Sequence, residues 1–393
     1  MEQLAQRSLR ADTTLSAISA GFAAVLVGFT SSVAIVLQAA AAAGASEAQM
    51  VSWIGALGLG MGLTCIGFSW YYRAPVVSAW STPGAALLIT SLNGVSLSEA
   101  VGAFLFSALL TLLLGLSGAF ERVAARVPLP IASAMLAGIL LQFGLSVFTS
   151  LQANPLLVGA MLATYLVGRK WLPRYGILLV LAAGFTTSWL MGDIHAEQLE
   201  WSLGRLTWVS PEFDLSVLLG VGLPLFIVTM TSQNLPGVAI LRASGYARVP
   251  VSPLIGGTGL MSLVLAPFGG FALNLAAISA AICTGPEAHP DPARRYTAGI
   301  SAGVFYILAG LFGASVVALF AALPQAMIAG VAGLALIGVI GSSLAGATAD
   351  PDRREAALIT LLITASGVSF YGIGAAFWGL LGGLACHWLF GRR

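Results

Sequence analysis

The polar side chains in the apolar stretches of this chain are amides and hydroxyls, and their densest group is TMTSQNLPG at residues 229–237. Amides are costly in hydrocarbon unless they are hydrogen-bonded, so Gln233 and Asn234 each need a polar partner. A single amide in such a place usually joins two helices. Two adjacent amides followed by Pro236 and Gly237, which predict an unwound stretch, favour contact with a small polar ligand.

A second polar position lies in the stretch APFGGFALNLAAISAAI, residues 266–282. Its first part contains a proline and two glycines, which predict irregular backbone over 267–273. Asn274 is then a good N-cap for the helical run that follows. A helix that begins inside a membrane exposes unpaired N–H groups and the positive end of its dipole, which together attract an anion. The competing interpretation is a single helix that is kinked at its proline.

A similar stretch, PVVSAWSTPGAALLITSL, covers residues 75–92. When Pro75 is aligned with Pro267, Thr82 falls opposite Asn274, so both stretches have a capping residue at the same point. Paired, interrupted segments at corresponding places in two halves of a chain indicate the binding site of a transporter. We therefore predict two half-helices whose N-termini meet at a binding site.

The composition is that of an integral membrane protein. Of the 393 residues, 58% are hydrophobic and 8% are charged, whereas a soluble domain has about 25% charged residues. The net charge of +2 comes without a basic patch, which gives no indication of nucleic-acid binding. The three cysteines lie in apolar runs, and the chain has no metalloprotease, phosphate-loop or nucleophile-elbow motif. The sequence therefore predicts neither an enzyme nor a metal or cofactor site.

Fourteen apolar segments are long enough, or nearly so, to cross a membrane. They lie at 15–43, 51–70, 75–92, 97–118, 129–149, 154–168, 175–192, 215–235, 251–265, 267–285, 297–322, 325–345, 356–370 and 372–390. With the N-terminus in the cytoplasm, 16 of the 17 basic residues fall on the cytoplasmic side, and only Arg205 lies outside. Because cytoplasmic loops are enriched in Lys and Arg, this distribution predicts fourteen spans with both termini in the cytoplasm.

The fourteen segments divide into seven and seven, and an odd number of spans inverts the second half relative to the first. Weak internal similarity agrees with this division. Thr30–Ser31 in the first segment matches Thr231–Ser232 in the eighth, and Leu129–Pro130 opens the fifth as Leu323–Pro324 opens the twelfth. The two interrupted stretches are segments three and ten, so their half-helices are expected to run in opposite directions and meet near the middle of the membrane.

One polar loop closes segment ten and contains Glu287, His289 and Asp291 beside two arginines. Prolines separate these side chains, which argues against a metal site. A plain solvated loop explains them without a special role. The alternative is that Glu287 or His289 handles a proton, although Glu287 is about 20 Å along a helix from Asn274 and could only gate or relay it.

Three blocks of sequence resemble the benzoate/proton symporter family of bacterial inner-membrane proteins. They are TSQNLPGVAILRASGY (231–246), APFGGFALNLAAISAAICTGPEAHPDPARRY (266–296) and IAGVAGLALIG (328–338), and the resemblance runs over nearly the whole chain. It implies a relationship in fold to the nucleobase–cation symporters, which have a 7+7 inverted repeat with a short strand and a half-helix in spans three and ten. It also implies a core domain, residues 1–127 and 215–322, that moves as an elevator against a gate domain, residues 128–214 and 323–393.

The resemblance also bears on the charge of the substrate. In nucleobase relatives an acidic residue in span eight binds the substrate, and Gln233 stands at the matching place in this sequence. A second acidic residue, in span ten, is missing as well. Because carboxylates would repel an anion, their loss is what an anionic substrate would require. No Asp, Glu, Lys or Arg lies in the middle of any predicted span.

The resemblance therefore implies a secondary active transporter that imports benzoate or a related aromatic carboxylate with a proton across the bacterial inner membrane. The expected substrate-binding residues are Thr30, Ser31, Ser81, Thr82, Gln233, Asn234, Gly270, Phe271 and Asn274. The proton is expected either on the substrate itself or at Glu287 and His289. Another monocarboxylate or a nucleobase is an alternative substrate, and an anion channel is an alternative class. The expected partners are the carboxylate, the proton and the lipid bilayer, with a homodimer left open.

Overall fold

The computed structural model describes residues 9–120, 128–171, 176–194, 203–286, 288–368, 370 and 375–390, and this part of the chain is mostly helical. Its α-helices are α1 (Leu9–Asp12), α2 (Leu15–Ala42), α3 (Glu47–Tyr72), α4 (Thr82–Ser91), α5 (Leu97–Ser117), α6 (Leu129–Ala153), α7 (Pro155–Trp171), α8 (Gly176–Met191), α9 (Leu215–Val217), α10 (Leu223–Thr229), α11 (Leu235–Ala243), α12 (Val251–Leu265), α13 (Ile278–Thr284), α14 (Tyr296–Leu311), α15 (Gly313–Ala321), α16 (Gln325–Thr348), α17 (Arg354–Ser366) and α18 (Ala375–Phe390). The strands are β1 (Ser78–Trp80) and β2 (Leu273–Leu275). Short 3-10 turns occupy Ala266–Phe268, Pro292–Arg294 and Pro351–Arg353.

Membrane-crossing helices can be identified by length and apolar composition. Within the described ranges six helices qualify, namely α3, α5, α6, α16, the continuous helix Leu215–Arg242 and the stretch Val251–Phe268. The number rises to eight if two bent pairs each count as one span. One pair bends by 43° between Phe29 and Ser32, and the other bends by 65° between α14 and α15. Every predicted segment contains helix, but the count of fourteen spans is not confirmed and stays a prediction.

The two interrupted segments meet, as the sequence predicts, but they do so through two short strands, an element that only the family resemblance implied. β1 and β2 form an antiparallel pair, with the register Ser78 opposite Leu275, Ala79 opposite Asn274 and Trp80 opposite Leu273. Successive side chains of a strand point to opposite faces, so Ala79 and Asn274 share one face of this small sheet. A short helix follows each strand: α4 begins at Thr82 and α13 begins at Ile278.

The expected positions of the two helix caps need correction. Ser81, rather than Thr82, is the N-cap of α4, because its Oγ accepts a hydrogen bond from the N–H of Gly84 at 3.0 Å. Asn274 does not cap a helix at all, since it lies in β2. Pairing with Ala79 holds Asn274 in extended backbone, and the chain needs Ala276 and Ala277 before it can turn into α13. The alignment of Thr82 with Asn274 is therefore wrong.

The helix that carries the amide pair is continuous from Leu215 to Arg242, so the unwound stretch expected at Pro236–Gly237 does not occur. Two π-helical turns, Leu218–Gly222 and Met230–Asn234, widen it instead. Each turn is followed by a Leu-Pro pair, at Leu223–Pro224 and Leu235–Pro236. A helical proline lacks an N–H and clashes with the carbonyl four residues earlier. A wider turn just before the proline accommodates both defects without ending the helix.

Helix packing depends on glycines at two corresponding contacts. A Cβ added to Gly58 of α3 would lie 2.6 Å from the Cα of Gly310 in α14. A Cβ added to Gly259 of α12 would lie 2.6 Å from the backbone N of Leu112 in α5. Small residues at such contacts allow helix backbones to approach closely in membranes. The pairs α3–α14 and α5–α12 are therefore in direct backbone contact.

Residues 203–214, called the strap here, cross one end of this helical core. The sequence predicts that the loop 193–214 lies on the outer surface, and its residues 195–202, with His195 and Trp201, lie outside the described part. The hydrogen bonds that hold the strap run from the N–H of Gly204 to Leu311 O (2.8 Å), of Thr207 to Ser52 Oγ (2.8 Å), of Val209 to Pro267 O (2.8 Å) and of Glu212 to Ser98 O (2.9 Å). The strap thus joins the ends of elements from both halves of the chain.

Candidate functional site

The candidate site is built around the N-terminus of α4, where the two halves of the chain touch. Ser81 caps α4 and also accepts a hydrogen bond from the Oγ1 of Thr229, at 2.9 Å. The backbone N–H of Ser81 donates to the carbonyl of Ala272 at 3.1 Å. Thr82, the first residue of α4, is only half-buried. The start of α4 is therefore fixed by polar contacts from the second half, and the side chain of Thr82 is only partly buried.

Asn234 connects β2 to the continuous helix Leu215–Arg242, called the amide helix here. Its Oδ1 accepts the N–H of Leu275 at 2.9 Å, and its Nδ2 lies 3.5 Å from the sulfur of Met230. Asn234 is completely buried. Gly237, one turn later, lets β2 come close, because a Cβ there would lie 2.8 Å from the carbonyl oxygen of Leu275. The neighbouring Gln233 is half-buried, so only one of the two amides is committed to holding the backbone.

Asn274 keeps one polar atom unpaired. Its Nδ2 donates to the carbonyl of Ala272 at 3.3 Å, whereas its Oδ1 is buried without a hydrogen-bond partner among the described residues. Exchanging the two amide atoms would bring two acceptors together at Ala272, so the free atom is the oxygen. A buried acceptor without a donor costs about 1–3 kcal/mol. This face of the sheet, shared with the half-buried Ala79, therefore holds a buried acceptor that lacks a donor.

The place where β1 and β2 pair is called the strand crossing here, and the hydroxyl of Ser78 is its second unpaired group. Register places Ser78 opposite Leu275, on the face of the sheet away from Asn274. The two unpaired groups therefore do not converge on one ligand. The backbone of Ser78 is held by α3, because its N–H donates to the sulfur of Cys65 at 3.1 Å.

Helix α2 lines the crossing at its bend. The indole N–H of Trp80 in β1 donates to the Oγ of Ser32 at 2.8 Å, and the rings of Trp80 and Phe29 are 4.9 Å apart. The predicted site residues Thr30 and Ser31 lie between these two contacts, at the 43° bend. Their side chains lie outside the described part of the chain, so their role stays a prediction.

Phe271 and Gly270 occupy packing positions instead of an open face. Phe271 is completely buried, with its ring centroid 5.6 Å from that of Trp53 and 5.9 Å from that of Phe104. The N–H of Gly270 donates to Leu265 O at 2.9 Å. The ring of Phe271 is therefore enclosed by the core in this structure, and a contact between Phe271 and a substrate ring stays a prediction.

Serines from α3 and α12 hold the two strands in equivalent ways, which the sequence did not reveal. The Oγ of Ser69 exchanges hydrogen bonds with the backbone of Val76, at 2.9 and 3.1 Å, just before β1. The Oγ of Ser262 accepts the N–H of Leu273, at 2.9 Å, at the start of β2. Serines are common in packed membrane helices, so their spacing alone gives no signal of this role.

The two residues considered for proton handling lie beyond α13. Glu287 is outside the described residues. His289 is buried and its Nδ1 accepts the N–H of Asp291 at 2.9 Å, while its carbonyl accepts the Nε–H of Arg295 at 2.7 Å. Arg295 also donates to the carbonyl of Thr284 at the end of α13, at 2.8 Å. His289 therefore shapes the loop after α13, and a part in proton coupling stays a prediction.

A buried acidic group near the N-terminus was missed by the sequence reasoning. Asp12 is 2% exposed, accepts a hydrogen bond from the hydroxyl of Tyr296 at 2.9 Å, and lies 3.5 Å from the Nε of Arg294. The guanidinium of Arg73 lies over the Tyr296 ring, 4.7 Å from its centroid. Asp12 precedes the first predicted span, where a charged residue is unremarkable in sequence. These groups join α1 to the starts and ends of core helices.

The described residues at the strand crossing offer amides, hydroxyls and backbone N–H groups, and none of these residues is charged. No cluster of metal-binding residues occurs among the described residues. The arrangement can therefore bind a small polar group by neutral hydrogen bonds and by the dipole of α4, which has ten residues.

Comparison with known proteins gives a match over nearly the whole chain. The family model described as benzoate membrane transport protein matches residues 11–389. The inner membrane protein YdcO of Escherichia coli (strain K12) is 47% identical over 368 residues, which cover 94% of each chain. The benzoate membrane transport protein of Acinetobacter baylyi is 42% identical over 383 residues, which cover 98% of this chain and 97% of that one.

Solved structures share the fold at low identity. The transmembrane domain of the cyanobacterial bicarbonate transporter BicA has a TM-score of 0.58 and 15% identity, with 94% of this chain and 97% of that chain covered. The murine Solute Carrier 26 family member A9 anion transporter, in an inward-facing state, has a TM-score of 0.60 and 12% identity, with coverage of 96% and 68%. The expected relationship to nucleobase–cation symporters stays a prediction.

Proposed function

We propose, from the premise that this chain belongs to the benzoate membrane transport protein family, that it imports benzoate or a related aromatic carboxylate together with a proton. Membership makes the chain a multi-pass membrane transporter, and its relative in Escherichia coli is an inner membrane protein. The proposal adds three further points: the substrate, its coupling to a proton, and cytoplasmic termini.

The observation that carries the proposal is the unpaired Oδ1 of Asn274 beside the start of α4. A carboxylate ion has only acceptors, so it cannot satisfy this atom. A protonated carboxyl group has one O–H donor and one carbonyl acceptor. Its O–H matches Asn274 Oδ1, and its carbonyl matches the hydroxyl of Thr82 or the amide of Gln233. The site therefore favours a carboxylic acid that carries its own proton.

Two helix N-termini do not contribute equally to this site. The ten residues of α4 give a capped N-terminus at Ser81, whereas α13 has seven residues and starts after Ala277. The dipole end of α4 stabilises partial negative charge on the bound carboxyl group, by about 0.3–1 kcal/mol. We therefore assign the main polar contacts to Thr82, Gln233 and Asn274, with Ser81 and Asn234 holding them in place.

We extend the proposal to a 7+7 inverted repeat of core and gate domains with the boundaries given above, the core moving as an elevator. Inversion exchanges predicted spans two and nine, and also spans four and eleven. The glycine contacts α3–α14 and α5–α12 are related by this exchange, and so are Ser69 and Ser262, each of which holds a strand. This recurrence supports an internal repeat. A homodimer is part of the proposal as the oligomeric state to be tested.

The proposal is tested by uptake of radiolabelled benzoate into proteoliposomes that contain the purified protein. We expect saturable accumulation when the interior is alkaline, and loss of accumulation when an ionophore collapses the pH gradient. Uptake that rises linearly with benzoate concentration would indicate a channel. Stronger inhibition by a nucleobase or an aliphatic monocarboxylate than by substituted benzoates would favour the alternative substrates. Empty liposomes measure the passive permeation of benzoic acid.

A further inference from the structure

A polar cavity lies at the opposite end of α4 from the candidate site. Its volume is about 200 Å³, and it is lined by Thr90, Ser91, Asn93, Gly138, Ile139, Gln142, Thr364, Gly367, Ala375 and Ala376. The first three follow from the end of α4, and the others come from α6, α17, α18 and the residue after α17. Ten residues of α4 at 1.5 Å each separate this cavity from Ser81 by about 15 Å, so the two sites are distinct.

Thr364 lines the cavity and has an unsatisfied polar atom, which lies against Gly379 of α18. Its side chain is 6% exposed, and its Oγ1 has no hydrogen-bond partner among the described residues. Thr360, one turn earlier in α17, shows the usual alternative, because its Oγ1 donates to the carbonyl of Ala356 at 2.9 Å. Both threonines pack against glycines of α18. The hydroxyl of Thr364 is therefore unpaired, whereas the hydroxyl of Thr360 is paired within α17.

The other walls suit one flat ring with a polar edge. Gly138, Ile139, Ala375 and Ala376 form a low, apolar surface, and the described lining residues include no charged side chain. Gln142 adds an amide whose Nε2 lies 3.5 Å from the carbonyl of Ala365. Pockets for drug-sized ligands have about 300–1,000 Å³, so this smaller cavity fits a ligand with a single ring.

The charge of the ligand follows from the direction of α4. Its C-terminal end faces the cavity, and a helix C-terminus carries the negative end of the dipole, which disfavours an anion. With no cation among the described lining residues, a carboxylate would be repelled and desolvated. A neutral carboxyl group can instead accept from Thr364 and donate to an oxygen such as Oε1 of Gln142.

We propose that this cavity is a second binding site, which takes a planar aromatic acid in its neutral, protonated form. The inference rests on the proposed function, since it assumes that the transported substrate is an aromatic acid. The second site would bind the substrate near the C-terminal end of α4 in its uncharged form, and Thr364 and Gln142 would recognise the carboxyl group.

The test uses radiolabelled benzamide, a neutral and non-ionising analogue of benzoic acid, and the full-length protein in lipid nanodiscs. We expect two benzamide molecules to bind per wild-type protein. Thr364→Val preserves shape but removes the hydroxyl, and should weaken one of the two sites by about fivefold or more. Thr360→Val is the matched control, because that hydroxyl is satisfied within α17, and it should bind as the wild type does.

Gln142→Leu is a second variant that tests the same cavity from α6, should Thr364→Val fail to fold. Equal binding of benzamide by Thr364→Val and Thr360→Val would overturn the second site, whether one or two molecules bind to the wild type. Benzoate uptake by the same preparations separates the two proposals. A wild type that takes up no benzoate, yet distinguishes the two threonine variants by benzamide binding, contradicts the proposed function and leaves the second site standing.

Discussion

Gln233 and Asn234 are adjacent in sequence but differ in their surroundings. Asn234 is fully buried and its Oδ1 holds the N–H of Leu275, whereas Gln233 is half-buried. Sequence alone groups them as one polar pair, because it does not show which face of the helix each occupies. Asn234 is therefore a structural contact between the amide helix and β2, and the contact of Gln233 with a ligand stays a proposal.

This difference predicts that two leucine substitutions affect different properties, one the stability of the protein and the other its binding of benzoate. Asn234→Leu leaves the N–H of Leu275 buried and unpaired, so it should lower the free energy of unfolding by about 1–3 kcal/mol. Gln233→Leu should leave stability nearly unchanged and weaken benzoate binding by about tenfold, which corresponds to about 1.4 kcal/mol. Thermal unfolding in detergent and equilibrium binding of benzoate measure the two effects. Equal destabilisation by both variants would contradict the division of roles.

At the scale of single residues the sequence predicts which of the candidate residues lie near one another. Ser81, Thr82, Asn234 and Asn274 do lie at or beside the strand crossing. Phe271 lies in the core in this structure, and a phenylalanine in an apolar stretch has the same sequence pattern whether it faces a cavity or the core. Thr229 went unnoticed as a partner of Ser81, since a hydroxyl in a membrane helix usually bonds to its own backbone.

Among elements, the approach of the amide helix to β2 depends on Gly237. Gly237→Ala would place a Cβ 2.7 Å from the Cβ of Leu275 and 2.8 Å from its carbonyl oxygen. Alanine favours a helix over glycine by about 1 kcal/mol, so any loss of stability must come from the contact. We expect Gly237→Ala to displace β2, lower the melting temperature and abolish most benzoate uptake.

The matched control for Gly237 is Gly67→Ala. Gly67 also lies inside a helix, α3, but nothing lies within 4 Å of an added Cβ. It should gain the helix propensity of alanine and keep full uptake and an unchanged or slightly higher melting temperature. If both variants lose uptake, or if neither does, close packing of α11 on β2 is not what positions the site.

Elements were predicted well where composition sets them and poorly where pairing sets them. Apolar runs of about 20 residues in a membrane protein form helices. The helix breakers Pro267, Gly269 and Gly270 mark the irregular stretch that follows α12. The run ALNLAAI contains no breaker, so the sequence places the start of α13 too early. Only the ladder to β1 shows that Leu273–Leu275 is extended. The π turns were likewise invisible, because Leu-Pro inside an apolar run reads as a break.

For the whole molecule, the distribution of basic residues predicts which side each loop faces. We expect a cysteine introduced at Leu203, which is 66% exposed in the strap, to react with a membrane-impermeant maleimide added to spheroplasts. A cysteine at Pro290, exposed in the loop after α13, should react only after the membrane is permeabilised. The native Cys65, Cys283 and Cys386 are buried and give a low background. Reaction at position 290 from outside would invert the orientation.

The absence of charge at the described strand crossing has an electrical consequence. A charge that moves through the full membrane potential gains or loses about 2.3 kcal/mol per 100 mV. In the proposed cycle the site contributes no charge, and one carboxylate moves with one proton, so the loaded carrier crosses as a neutral body. The empty carrier returns equally neutral. Voltage therefore performs no work on either step, and only the pH difference can drive accumulation of the substrate against its own gradient.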